Sequence, residues 1–217
     1  MSKIVWKFSD MTGPDGVGPE PMLLESELDG PVEPAGQAAE AIGHPELIRL
    51  HAYWAAKCRP SCLPSPRDLN PAELADFLGN ALLADIVESE PLRIRYRLVG
   101  TRLVELWGRD PSGKDLEELY YRPFRQALYG VYRNVIERRR WRYDEVNFRF
   151  LWTVIAYHRL LLPLSTDGVR VDSVLTAIYP NDPGLKRASQ WRLTDDIVRI
   201  FDNLSNTAAK IKRQPHR

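Results

Sequence analysis

Leu92–Val99 alternates without a break, with Leu92, Ile94, Tyr96 and Leu98 at one parity and Arg93, Arg95 and Arg97 at the other. Apolar residues at every second position opposite a row of cations describe a strand half-buried in an antiparallel sheet. A strand covered on both faces would instead read as a continuous apolar run. Leu98 is expected on the buried side with the other apolar residues. Gly100 closes the run, and Glu88-Ser89-Glu90-Pro91 joins it to a preceding strand, Ala81–Val87. The alternation returns over Asp144–Leu151, with Val146, Phe148 and Phe150 inward and Glu145, Asn147 and Arg149 outward. Thr153–Leu164 and Val169–Tyr179 then flank Ser165-Thr166-Asp167-Gly168, a hairpin turn. Leu160–Leu162 and Val174–Leu175 are apolar at consecutive positions, so something must cover the outer side of this sheet as well.

Helical patterns fill the middle and flank the strands. Pro45–Lys57 carries Leu47, Leu50 and Trp54 on one stripe, with Pro45 in its first turn. Asn70-Pro71 is an N-cap followed by proline, opening a short helix that Gly79 ends. Thr101–Trp107 and Asp115–Tyr120 are separated by a turn-rich loop in which Gly108 suits a helix C-cap. A longer helix, about Tyr121–Arg139, bears the stripe Phe124, Leu128, Val131 and Val135. Near the end of the chain Thr194 caps an amphipathic helix with Ile197, Ile200, Phe201 and Leu204 on one side.

Charge is balanced over the chain at +1 but not along it. Residues 1–43 hold eight acidic against two basic side chains, a net of −6, among many Gly and Pro. Such a segment cannot bury enough apolar surface to offset its conformational entropy and reads as a largely flexible arm. Residues 186–217 hold eight basic against three acidic, a net of +5. The domain proper is expected over 44–183 including its N-terminal helix, with 184–217 a basic tail carrying the amphipathic helix. Near-zero charge gives no general pull toward nucleic acid or membrane, no apolar run reaches the length of a span, and no signal peptide is apparent. Two cysteines, Cys58 and Cys62, make no disulfide framework. The expected location is the cytoplasm.

The order of strand, strand, short helices, longer helix and three further strands resembles the PAS domain. The stretch Tyr96–Leu116 carries the likeness: Leu106-Trp107-Gly108-Arg109, a loop, then Ser112-Gly113-Lys114-Asp115-Leu116. More narrowly the chain is similar to a bacterial subfamily of short stand-alone PAS proteins. Four motifs in order carry that likeness: the opening Leu63-Pro64-Ser65-Pro66-Arg67-Asp68-Leu69-Asn70-Pro71, the strand end Tyr96–Thr101, the loop Gly108-Arg109-Asp110, and Leu162–Gly168. Pro66 is a small departure in the opening loop. The fold class implied is α+β: a five-stranded antiparallel sheet with short helices on one face, plus flanking N- and C-terminal helices.

That resemblance implies a cleft between the inner sheet face and the short helices. Tyr96, Trp107, Phe124, Phe148, Phe150 and Tyr157 are the residues expected near it, where aromatics stack on a ligand or simply fill a core. The cofactor is left open. No Cys lies between Leu63 and Pro183, which argues against flavin held by a thiol adduct, and the long helix has no His to hold haem. His44, His51 and Cys58 recur every seven residues, about 10 Å apart along a helix, too far to share one ion, so no metal site is expected. Glu137-Arg138-Arg139-Arg140-Trp141-Arg142 reads as helix-end chemistry neutralised near Asp144 and Glu145 rather than a nucleic-acid patch. Asp144-Glu145 itself reads as solvated surface, and the one core histidine, His158, has no partner at catalytic spacing.

The expected function is a stand-alone sensory module that binds a small molecule and signals through protein contacts, as a homodimer or with another protein, without nucleic acid or membrane. The alternatives are an adaptor with a filled core, and a small enzyme on a related curved sheet, for which His158 hydrogen-bonded to a carboxylate would be the sign.

Overall fold

The computed structural model describes residues 28–29, 41–120, 122–150 and 153–181. Its strands are β1 (Leu28–Asp29), β2 (Ala81–Ser89), β3 (Leu92–Val99), β4 (Arg142–Phe150), β5 (Thr153–Leu164) and β6 (Ser173–Pro180). They form one antiparallel sheet in the order β1-β4-β5-β6-β2-β3. Five full strands therefore make the sheet, with the two residues of β1 paired at one edge to Tyr143 and Arg142. The helices are α1 (Pro45–Lys57), α2 (Ala75–Leu78), α3 (Thr101–Trp107), α4 (Leu116–Leu119) and α5 (Arg122–Arg138), with a 3₁₀ turn at Pro66–Asp68. The architecture is the α+β arrangement that the periodicities and the PAS likeness imply. The helix expected from Thr194 and the rest of the acidic arm lie outside the described residues.

The register sorts side chains onto two faces. Tyr143, Leu160, Leu175, Leu162 and Leu164 share the outer face, and α1 lies on it. Leu47, Leu50 and Trp54 are fully buried there, and Trp54 Nε1 donates to the Pro163 carbonyl at 3.0 Å. The cover that the doubly apolar strands require is thus the chain's own N-terminal helix. The inner face carries Val146, Tyr157, Thr176, Ala84, Ile94 and Tyr96 and meets α4 and α5. Leu128, Val131 and Val135 of the α5 stripe are buried; the Phe124 side chain lies outside those described.

The free edge of β3 is closed by the loop before α4. Gly113 N–H donates to Tyr96 O and Tyr96 N–H to Lys114 O, while Asp115 takes Arg93 and Arg95, each at 2.7 Å. A paired, charged edge of this kind does not offer itself to another strand. Gly100, between β3 and α3, is obligatory, because a Cβ there would sit 2.0 Å from the Leu78 carbonyl oxygen.

Three expectations are corrected. Leu98 is 62 % exposed, because the β2–β3 ladder steps from Leu83↔Leu98 to Ala84↔Tyr96 and leaves Arg97 unpaired in the ladder. A bulge of one residue inverts the parity beyond it. The last strand starts at Ser173 rather than Val169, since residues 165–172 form a loop around the Asp167 carboxylate. That carboxylate accepts from the Ser165 hydroxyl and from the Val169 and Arg170 N–H groups, which hold it well below the usual carboxylate range. Asn70 caps a turn rather than a helix: its Oδ1 accepts from Ala72 N–H, and regular helix spans only Ala75–Leu78.

Candidate functional site

The inner face is polar at its centre. Asp144, fully buried, accepts from Arg142 Nε at 2.8 Å, Arg159 Nε at 2.9 Å and Arg159 Nη2 at 2.5 Å. Both guanidinium groups are almost entirely withdrawn from solvent. One carboxylate is thus shared by two cations in a dry setting, where pairing outweighs desolvation only with such geometry. Burial alone would lower Arg159; the Asp144 carboxylate outweighs it and holds the guanidinium above its ordinary value.

Four phenols lie on this side of the sheet, and two of them, Tyr132 and Tyr157, face the cluster. Tyr96 from β3, Tyr120 after α4, Tyr132 from α5 and Tyr157 from β5 are all raised by burial, Tyr120 to about 12, so all stay neutral donors. The Tyr96 hydroxyl lies within hydrogen-bonding reach of those of Tyr120 and Tyr132, and the Tyr96 and Tyr120 rings meet nearly edge-on at 6.4 Å. Tyr132 lies beside Thr176 on β6 and faces Arg159. Guanidinium groups and neutral hydroxyls are donors suited to a ligand's acceptor atoms, and aromatic rings to its apolar part.

Of the six residues expected here, Tyr96 and Tyr157 stand on the inner face, joined through Tyr120. Trp107 is half-buried on α3, packed against the core outside this hydrogen-bonded set; Gly108 in the left-handed conformation (φ 70°) ends that helix. The side chains of Phe124, Phe148 and Phe150 lie outside those described. Arg142, Asp144 and Arg159 are the residues that sequence reasoning missed. The reading of Asp144 as solvated surface is overturned by its complete burial, and Arg142 belongs to the inner face rather than to a helix end. The signal was parity: Arg142 and Asp144 step by two to the inward Val146, and Arg159 is two from Tyr157. The basic run is divided accordingly, with Arg139 donating to the Gly168 carbonyl from a left-handed helix end (φ 54°).

His158 lies on the other face. Its Nδ1 is 2.6 Å from the Tyr143 hydroxyl, not a carboxylate, and its half-buried ring meets that of His44 at the start of α1. The sign set for a hydrolytic or acid–base site is therefore not met at this residue. Among the described residues no group of three or more His, Cys, Asp or Glu is arranged to hold a metal, and no helix is long and apolar enough to cross a membrane.

Strand order and helical insertion define an α+β module built on one antiparallel sheet, with a polar inner face. A family model described as "PAS domain" matches residues 42–179, and the chain belongs to that family. PAS domains are in general sensory and regulatory modules rather than enzymes. Neither the curated proteins nor the solved structures contain a match to the chain.

Proposed function

We propose that this PAS domain senses a small molecule bound against its inner face, and passes occupancy to a protein partner. The observation that carries the reading is the buried Arg142–Asp144–Arg159 cluster, faced by the neutral Tyr132 and Tyr157 and continued by the hydroxyls of Tyr96 and Tyr120. A core needed only for packing is built more cheaply from apolar residues, because buried ion clusters seldom repay their desolvation. The ligand this chemistry suits is a small organic molecule with a ring or apolar body and acceptor atoms directed at the guanidinium and phenol groups. The subfamily of stand-alone proteins that the chain resembles fits a module that works by contact in the cytoplasm.

Contact is offered along the β2–β3 hairpin, where Leu98 and Val87, at its two bulges, are 62 % and 41 % exposed. A second copy of the chain or another protein covering these side chains is the output we propose. The same exposure supports the adaptor reading, in which the contact operates with no ligand. Native mass spectrometry of the protein purified from its own host separates the two. A mass excess that disappears on denaturation supports sensing, and equal native and denatured masses support the adaptor. The native spectrum also reads the oligomeric state.

A further inference from the structure

Three of the four histidines in the chain, His44, His51 and His158, lie along the interface between α1 and the outer face of the sheet, with His44 and His158 together at the start of α1 and His51 two turns further on beside Trp141. His44 is the N-cap of α1 and makes no side-chain capping bond. Its ring stacks 4.5 Å from that of Tyr179 and 5.3 Å from that of His158, and its Nδ1 is buried without a hydrogen-bond partner. His51, one turn from Trp54 on the buried stripe, is 2 % exposed. It lies edge-on to Trp141 at 4.8 Å, and its Nε2 is likewise buried without a partner. His158 is held to the Tyr143 hydroxyl, against which the Gly43 backbone packs so closely that a Cβ there would come within 2.9 Å.

We propose that this interface is a proton-sensing latch, in which protonation of His44, His51 and His158 releases α1 from the sheet. A neutral imidazole can leave a ring nitrogen unbonded at modest cost, whereas charging the buried His51, whose Nε2 has no partner beside the two indoles, is disfavoured by desolvation. A cation at His44 would also oppose the positive end of α1 and repel a charged His158. The groups that oppose release are Glu46 beside His44 and Glu145 beside His158. Tyr179 is raised to about 12, first by burial, with Glu46, Arg102, Arg49 and Asp76 around it, and adds no charge. Burial outweighs the two carboxylates: His44 and His158 are both lowered, and His51 is lowered to about 4.

The sign follows. Docked α1 binds fewer protons than released α1, so docking is intact above the ordinary histidine value of 6.5 and weakens as pH falls toward 4. His51 alone weakens docking about 30-fold at pH 5 relative to pH 7.5. The input is independent of any inner-face ligand, since the three histidines lie on the opposite side of the sheet.

Hydrogen exchange of the full chain at pH 7.5 and pH 5.0, corrected for intrinsic rates, tests this. The α1 peptides are expected to lose about 30-fold or more of their protection at pH 5.0, while β2 and β6 peptides keep theirs. His51→Phe and the pair His44→Gln with His158→Gln, each first shown to have native exchange at pH 7.5, should retain part of the lost protection. Unchanged α1 exchange in the native protein at pH 5.0 would overturn the latch, and so would an equal loss in both variants. Should neither variant fold, the His51 ring-proton titration by NMR decides. A midpoint near 4 supports the proposal, and one at or above 6.5 refutes it.

Discussion

Replacing Asp144 by Asn tests the inner face at its centre. The carboxylate accepts three hydrogen bonds from two guanidinium groups that are themselves buried. Asn keeps the shape and one acceptor oxygen but removes the charge, and leaves Arg142 and Arg159 as neighbouring cations without the carboxylate that joins them. Breaking a buried ion pair on one side costs about 3–5 kcal/mol. That is a large share of a domain stability of about 5–15 kcal/mol. Urea titration followed by tryptophan fluorescence should show the midpoint fall with little change in slope. The companion Asp144→Asn with Arg159→Met should recover part of the loss, giving a coupling of more than about 1 kcal/mol. A single variant within about 1 kcal/mol of the native protein, or a double variant whose loss equals the sum of the singles, would refute a dry, shared cluster.

Other expectations rest on separate contacts. Trp54→Ala removes a fully buried indole and its bond to Pro163, and should cost about 3–5 kcal/mol with the exchange increase concentrated in α1. Gly168→Ala should lower stability by at least about 1 kcal/mol, since φ is 73° and the new Cβ would meet Cys62 Sγ at 2.5 Å; an unchanged melting temperature would contradict it. Asp115→Ala removes the capping box of α4 and frees the β3 edge, costing about 1–2 kcal/mol with faster exchange at Tyr96. Asp115 is held low first by its bond to Arg95, so its contribution is present above the ordinary value of 3.8 and lost as pH falls below it.

Much of the sheet was legible because its strands keep parity over long runs. β3 and α3 have the bounds that alternation, Gly100 and Gly108 assign. Parity fails where the backbone inserts a residue, and Leu98 shows it: no feature of Leu92–Val99 signals the bulge, which is set by pairing with β2. The polar centre was hidden for another reason. Asp144 and Arg142 are residue types that are almost always exposed, and only their pairing with Arg159, 15 residues away from Asp144, makes burial tolerable. The histidine pair was hidden likewise: a spacing of seven along α1 placed His44 and His51, but only the sheet brings His158 to His44.

Whether the inner face holds a small molecule is decided by stripping that molecule from the protein and restoring it. Protein purified from its host is unfolded in denaturant, desalted, refolded and compared with the untreated sample by hydrogen exchange. The account predicts that β4, β5 and α5 peptides exchange faster after stripping and regain protection when the removed small-molecule fraction is returned. Stripped and untreated protein with the same exchange in those elements would contradict it.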